Sequence, residues 1–293
     1  MKLLNTLTVV EARTGLDAKD FTSLELTQAC LAAIKQKEPS LNAFVTVFED
    51  EALKQASLAD QILQSSPATA DQPLLGIPIA LKDNFLTKNQ RTTASSKVLD
   101  QFSPQYDATV TKRLKDAGAI ILGKANMDAW AHGSSTETSD YGPTTNPYSS
   151  EHLAGGSSGG SAACVGADEV IAAIGSETAG SVRQPASWCG VVGFKPTYGR
   201  VSRYGAIAMG SSLDSPGPLT KSVTDAAIIT QVLAGHDPHD ATTSSSPVPD
   251  YPSLLKTDVK GLKIGLPREY FMSETMPGIN ELVKDAAHVL ESN

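Results

Sequence analysis

Two short runs of small residues carry the serines that could do chemistry. Residues 155–161 read Gly-Gly-Ser-Ser-Gly-Gly-Ser, and residues 179–183 read Ala-Gly-Ser-Val-Arg. A Gly/Ser run is typical of a flexible linker, but this one leads into an apolar segment and a predicted buried strand at 170–174. Glycines in such a segment let the backbone approach a ligand or another backbone closely. Ser157 and Ser181 are therefore candidate reactive groups.

Three kinds of site that use glycine-rich turns can be compared with the first run. A phosphate-binding loop needs Gly-Lys-Ser/Thr at its end, and no lysine follows Gly160. A dinucleotide fingerprint needs a strand directly before the glycines, which residues 148–153 do not predict. Gly155-x-Ser157-x-Gly159 fits the G-x-S-x-G pattern of a nucleophile elbow. That reading needs the same missing strand and a later histidine, and the candidates are His236, His239 and His288.

A fourth reading is a serine nucleophile activated by lysine. Amide hydrolysis needs a nucleophile, a base and donors for the tetrahedral oxyanion. Ser157 is a candidate proton relay. Lys82 ends an apolar strand, where desolvation lowers the pKa of an amine enough for it to act as a base. Sequence physics alone does not bring Lys82 next to Ser157. The predicted oxyanion donors are the main-chain N–H groups of the turn that carries the nucleophile: Thr178, Ala179, Gly180 and Ser181.

The elements that must position these groups alternate between helices and short apolar strands. Such alternation predicts an α/β fold with a sheet covered on both faces. Pro78 lies inside one strand and indicates an edge position or a bulge there. The predicted strands are 42–47, 74–81, 119–122, 170–174 and 263–267. The predicted helices begin at the capping box of residues 22–25 and otherwise span 49–64, 107–117 and 279–291.

Composition narrows the class of protein. The chain has 293 residues, a net charge of -8 and a pI of about 5.1, which disfavours broad nucleic-acid or membrane-surface binding. No run approaches the ~20 apolar residues of a membrane span. The three cysteines are widely spaced in apolar contexts, which predicts buried free thiols in a reducing compartment. The composition therefore indicates a cytoplasmic enzyme.

Taken together, the motifs resemble the amidase signature family, in residues 76–84, 155–163 and 175–186. The resemblance implies a mixed, twisted central sheet with helices on both faces. It also implies that Ser181 forms an acyl-enzyme, that Ser157 relays the proton and follows a cis peptide bond, and that neutral Lys82 is the general base. Two departures stand out: the family usually has Asp-Thr-Gly-Gly-Ser where residues 177–181 read Glu-Thr-Ala-Gly-Ser, so that Ala179 replaces a glycine of the oxyanion turn, and known members continue well beyond residue 293.

Further stretches are similar to one branch of that family, the amidase components of the tRNA-dependent amidotransferases, at residues 91–97, 133–137, 195–205 and 234–240. This likeness implies a glutamine amidohydrolase that supplies ammonia for transamidation of Glu-tRNA(Gln) or Asp-tRNA(Asn). It also implies a heterotrimer with the B and C subunits, in which tRNA, ATP and Mg²⁺ are held by the partner and this chain binds no cofactor or metal. The alternatives are a general amidase and an inactive scaffold. Residues 1–293 are expected to form a single amidase domain that lacks the family's C-terminal part.

Overall fold

A six-stranded mixed sheet organises the first part of the chain. The computed structural model describes residues 2–255, 260–271 and 278–292. The sheet strands are β1 (Phe44–Val47), β2 (Pro78–Lys82), β3 (Ile120–Ala125), β6 (Ala172–Glu177), β7 (Val192–Gly193) and β8 (Ser215–Thr220), and a separate antiparallel pair is formed by β4 (Thr145–Asn146) and β5 (Ser149–Leu153). The order is β1-β3-β2-β6-β8-β7. Strand β2 runs parallel to β3 and β6, and the other pairs are antiparallel.

Some of the helices begin at a residue whose side chain caps them. Thr8 and Thr22 each accept an N–H from a glutamate three residues on, and that glutamate accepts the N–H of the threonine. The side chain of Ser222 likewise accepts the N–H of Asp225, three residues on. The α-helices are α1 (Val9–Ala18), α2 (Ser23–Leu41), α3 (Glu49–Ser65), α4 (Thr109–Asp116), α5 (Gly159–Gly166), α6 (Arg183–Trp188), α7 (Val223–Leu233), α8 (Tyr251–Leu254) and α9 (Ile279–Glu291).

The sheet is covered on both faces. Every residue of β2, β3, β6 and β8 is buried, and successive side chains of a strand point to opposite faces. Helices α2, α3, α5 and α7 contact these strands. The predicted α/β class with a mixed sheet is therefore confirmed. All three cysteines are buried and free, as predicted.

The prediction for Pro78 was half right. Strand β2 lies between β3 and β6, so it is not an edge strand. Pro78 is its first residue, a position that tolerates a missing N–H. The pairing with β3 shifts register between Ile79 and Ala80, so the predicted irregularity lies directly after the proline.

Two predictions about strands were wrong. Residues 263–267 form no strand and are exposed; a short apolar run becomes a strand only where another strand pairs with it. Residues 149–153, expected not to form a strand, are β5. This polar segment is stabilised by pairing with β4 rather than by burial, so apolar patterning could not reveal it.

The chain divides into two compact units, Met1–Tyr251 and Pro252–Asn293. The second unit contains helix α9, which matches the helix predicted at 279–291. The interpretation of residues 1–293 as one domain stays a prediction. Among the described residues, every helix is too short or too polar to cross a lipid bilayer.

Candidate active site

Three parallel strands end at one edge of the sheet, and their last residues define the site. Lys82 is the final residue of β2 and pairs with Ala125 at the end of β3. Glu177 ends β6, which runs beside β2. Because the carboxyl ends of parallel strands share an edge, this is where α/β proteins commonly place ligands. Asp128 follows β3 at the same edge.

The Gly/Ser run is packed into the protein and is not a linker. Residues 154–165 are buried without interruption. A Cβ at Gly160 would lie 2.4 Å from the carbonyl oxygen of Ala43 and 2.5 Å from the main-chain nitrogen of Asn126. A Cβ at Gly156 would lie 2.1 Å from a carboxylate oxygen of Asp128. Glycine is required at both positions because other chain segments occupy that space.

Lys82 contacts Ser157, as the resemblance implies. Its Nζ lies 2.7 Å from Ser157 Oγ and 3.1 Å from the main-chain oxygen of Ser176. The side chains of Lys82 and Ser157 are completely buried. The fold therefore makes the contact that sequence physics alone did not, by placing α5 and the preceding run across the end of β2.

Burial lowers the pKa of Lys82 to about 7. The main cause is desolvation, which disfavours the charged amine. Three carboxylates act in the opposite direction, those of Asp128, Asp214 and Glu177. An amine with this pKa is substantially neutral near pH 7 and can accept a proton, as a general base must.

Ser157 is fixed through its backbone as well as by Lys82. The peptide bond between Gly156 and Ser157 is cis. The carbonyl oxygen of Ser157 accepts the N–H of Asp128 at 3.1 Å. The N–H of Gly156 donates to the side-chain oxygen of Gln184 at 2.9 Å. Both residues of this peptide bond are thus held by hydrogen bonds of their main-chain groups.

The segment that carries Ser181 is joined to the segment that carries Ser157 by a main-chain hydrogen bond. Its carbonyl oxygen accepts the N–H of Ser158 at 3.1 Å, which places the two serine-bearing segments side by side. Its side chain is 8% exposed. Within residues 2–255, 260–271 and 278–292, the Ser181 hydroxyl has no hydrogen-bond partner, so the structure shows no direct bond between it and Ser157.

The turn before Ser181 presents its main-chain donors. Among the described residues, no acceptor receives the N–H of Ala179, Gly180 or Ser181. Gly180 has a φ of 127°, which favours glycine. Ala179 does not adopt a left-handed conformation, so alanine fits here without backbone strain. Thr178 is held by its hydroxyl, which donates to Asp214 at 2.5 Å.

The buried carboxylate of Glu177 accepts hydrogen bonds from the residues that follow Ser181. One carboxylate oxygen accepts the N–H groups of Val182 and Arg183, each at 3.0 Å, and the other accepts Nε of Arg183 at 2.7 Å. Burial acts to raise the pKa of Glu177, but the hydrogen bonds from Arg183 and Val182 outweigh it, and the pKa is lowered overall. The glutamate is thus a charged anchor for the loop that carries Ser181.

Replacing Glu177 with glutamine is expected to lower the free energy of unfolding by about 1–3 kcal/mol, because charge-assisted hydrogen bonds to a buried group are lost. Chemical denaturation measures the change. Glu151→Gln on the exposed strand β5 is the control and should alter stability by less than about 0.5 kcal/mol. Equal stabilities for the two variants would contradict the anchoring role.

Sequence reasoning missed three polar residues around the site. Asp128 and Asp214 are buried carboxylates near Lys82. Asn84 donates to Ser176 Oγ at 3.0 Å and to the main-chain oxygen of Ile207 at 3.3 Å. Only Asn84 carried a sequence signal, because it lies two residues beyond Lys82 in a recognised motif. The aspartates come from loops whose distance to Lys82 depends on the tertiary fold.

The histidine-dependent alternative finds no support in the geometry. Each histidine hydrogen-bonds a group away from Ser157 and Ser181: His132 to Trp130, His152 to Ser149, His236 to Thr243, His239 to Asp237 and His288 to Glu291. Although β5 precedes the Gly/Ser run, it pairs with β4 and not with the central sheet. The run is therefore not a nucleophile elbow at the end of a central strand.

Comparison with known proteins places these features in a family. Residues 25–293 match the family model described as Amidase. The chain is 50% identical over 282 residues to the A subunit of glutamyl-tRNA(Gln) amidotransferase from Trichlorobacter lovleyi, covering 96% of this chain and 58% of that protein. It is 49% identical to the protein of the same name from Carboxydothermus hydrogenoformans, covering 98% and 59%. The chain thus spans about three fifths of the length of these relatives.

Solved structures give the same picture. The crystal structure of the A subunit of glutamyl-tRNA(Gln) amidotransferase from Thermotoga maritima aligns with a TM-score of 0.83 at 42% identity, covering 99% of this chain and 60% of that one. A native peptide amidase from Stenotrophomonas maltophilia aligns with a TM-score of 0.79 at 40% identity, covering 85% and 52%.

Proposed function

The chain belongs to the amidase family, and from that premise we propose that it hydrolyses the side-chain amide of glutamine and releases ammonia. The ammonia serves the transamidation of Glu-tRNA(Gln) or Asp-tRNA(Asn). The observation that carries the chemistry is the 2.7 Å contact between buried Lys82 Nζ and Ser157 Oγ, beside the turn that bears Ser181. The identity of 50% to a glutamyl-tRNA(Gln) amidotransferase component supports the choice of glutamine.

In the first step, the Ser181 hydroxyl attacks the amide carbon of glutamine. Its proton passes to Ser157, and Ser157 passes its own proton to neutral Lys82. The C–N bond then breaks, and the nitrogen leaves as ammonia after taking back the proton that Lys82 received. Ser181 is left as a γ-glutamyl ester. This order requires a base that is neutral near pH 7, which matches the lowered pKa of Lys82.

The tetrahedral oxyanion needs donors on the face opposite the base. The main-chain N–H groups of Ala179, Gly180 and Ser181 serve this purpose, because they lie in the same turn as the nucleophile and are unpaired among the described residues. The N–H of Thr178 completes the proposed set. Donors that are fixed before the reaction stabilise the developing charge without reorganisation. Glu177 and Asp214 hold the turn from its two sides.

The second step repeats the first with water as the nucleophile. Lys82, acting through Ser157, removes a proton from water, the water oxygen attacks the ester carbon, and the Ser181–acyl bond breaks. The proton returns to Ser181 Oγ and glutamate is released. The same three residues therefore serve both halves of the reaction.

The partners follow from the amidotransferase component that this chain resembles. We infer a complex with the B and C subunits of the amidotransferase, in which the partner holds the tRNA, ATP and Mg²⁺. The net charge of -8 supports this division, because an acidic chain attracts little nucleic acid.

Rates of glutamine hydrolysis are expected to rise with pH through about 7, because Lys82 must lose its proton to act as the base. Below that value, kcat/KM should fall about tenfold per pH unit. Steady-state kinetics from pH 5.5 to 9 measure the profile. A rate that does not change across this range would exclude a lysine base with a lowered pKa.

Co-expression with the B and C subunits, followed by size-exclusion chromatography, tests the substrate and the partners together. We expect co-elution and preference for glutamine over simple aliphatic and peptide amides. The likeness to a peptide amidase at 40% identity provides the second candidate. A monomeric chain that hydrolyses aliphatic or peptide amides better than glutamine would establish a general amidase instead.

A further inference from the structure

Asp128 has no role in the mechanism above, yet it contacts the catalytic pair. It follows β3 at the edge of the sheet where Lys82 ends β2, and its carboxylate is completely buried. Its main-chain N–H donates to the carbonyl oxygen of Ser157 at 3.1 Å. The residue is therefore joined through one hydrogen bond to the serine that Lys82 contacts.

The carboxylate of Asp128 packs directly on the backbone before Ser157. A Cβ at Gly156 would lie 2.1 Å from one carboxylate oxygen, and a Cβ at Gly133 would lie 2.2 Å from the other. The same oxygens accept the N–H of Ser135 at 3.2 Å and the hydroxyl of Thr138 at 2.9 Å. The loop of residues 133–138 therefore binds the carboxylate on one side, and the Gly156–Ser157 peptide packs against its other side.

The three carboxylates near Lys82 differ in what holds them, and Asp128 accepts hydrogen bonds from Ser135 and Thr138. Glu177 is paired with Arg183, and Asp214 accepts the N–H groups of Met209 and Gly210 as well as the Thr178 hydroxyl. Within the part of the chain that the structure describes, no lysine or arginine forms an ion pair with Asp128.

Three carboxylates from three parts of the chain act electrostatically on Lys82: Asp128 after β3, Glu177 at the end of β6 and Asp214 before β8. Asp128 has the largest effect of the three in raising the pKa of Lys82 against desolvation. Asp83, although adjacent in sequence, is turned away and accepts hydrogen bonds from Thr93 and Ser95.

We propose that Asp128 is a positioning residue of the Ser181–Ser157–Lys82 system: its main-chain N–H and carboxylate fix the Gly156–Ser157 peptide beside Lys82, and its charge acts on the lysine. The inference rests on the proposed function. The hydrogen bonds keep the Ser157 hydroxyl within reach of Lys82. The negative charge of Asp128 raises the pH at which Lys82 loses its proton and so offsets part of the effect of burial.

Two variants separate the charge from the fixation. Asp128→Asn preserves the shape and an acceptor oxygen but removes the charge, so the rising limb of kcat/KM should move to lower pH by about one unit. Thr138→Val keeps the charge but removes a hydrogen bond to the carboxylate. Here kcat should fall about tenfold with KM unchanged, and the limb should stay in place. Asp225→Asn changes another buried carboxylate and is the control. It should leave the rising limb of kcat/KM at the parental pH.

The measurement is glutamine hydrolysis as a function of pH, with the protein in its active form, alone or with its partner subunits. The unmutated protein should show a rise of kcat/KM with pH near pH 7. If the profiles of Asp128→Asn and Thr138→Val coincide with that of the unmutated protein, the role of Asp128 is overturned and the proposed function stays intact. A parent without that limb would reject the lysine base, and the inference with it. If Asp128→Asn does not fold, the kcat of Thr138→Val still decides whether the carboxylate fixes the relay.

Discussion

Replacing Lys82 with methionine is expected to slow glutamine hydrolysis about 10³-fold or more, because a general base contributes roughly 10²–10⁴ to the rate. The fold should remain at least as stable at pH 7. Burial lowers the pKa of Lys82 from 10.5 to about 7, so between these values the unfolded chain binds the additional proton and the parent loses stability as pH falls. Methionine has a similar length and carries no charge, so the variant avoids that cost. Activity and thermal melting at pH 7 and pH 10 measure both effects.

Lys124 provides a matched control, because it is also a completely buried lysine. Burial lowers its pKa to about 8, but its Nζ donates to the main-chain oxygen of Phe85 and lies 3.7 Å from a carboxylate oxygen of Asp83. Lys124→Met leaves that carboxylate buried without its cation and should cost about 3–5 kcal/mol of stability, with kcat of the folded protein retained. Near-parental activity in Lys82→Met would exclude Lys82 as the base.

Replacing Ser181 with alanine is expected to abolish hydrolysis, with a loss of about 10⁴-fold or more, because no acyl-enzyme can form. Ser181 is barely exposed and its hydroxyl lacks a partner among the described residues, so the fold should tolerate alanine well. Activity and melting temperature together measure the result.

Ser187→Ala is the matched control for this change. Ser187 is an exposed serine on α6, and its hydroxyl donates only a local bond to the main-chain oxygen of Gln184. Its removal should leave kcat and KM unchanged. Comparable activity in Ser181→Ala and Ser187→Ala would show that the nucleophile lies elsewhere.

Local patterns predicted parts of this site, and the tertiary fold supplied the rest. The apolar run before Lys82 predicted a buried strand with a desolvated end, and burial of that amine follows directly. The contact between Lys82 and Ser157 required a resemblance, because the two residues belong to separate elements. Asp128 gave no signal, since a single aspartate after a strand has no periodic or spacing pattern that indicates its contact with Gly156.

The missed strand β8 shows the same limit for the fold. Its six residues, Ser215–Thr220, include Pro216 and Pro218, which argue against an interior strand. The structure pairs the strand fully with β6 on one side. The carbonyl oxygen of Pro218 accepts the N–H of Phe194 beyond the end of short β7. Because N and C=O of one residue face the same neighbour, the missing N–H groups face this weakly paired side.

Peptide mapping after reaction with an electrophilic glutamine analogue tests the central claim most directly. The account predicts a single adduct on Ser181, lost in Ser181→Ala and formed far more slowly in Lys82→Met, since the serine hydroxyl depends on the lysine for its activation. An adduct on Ser157 in the parent protein, or labelling of Ser181 that proceeds at the parental rate without Lys82, would contradict it.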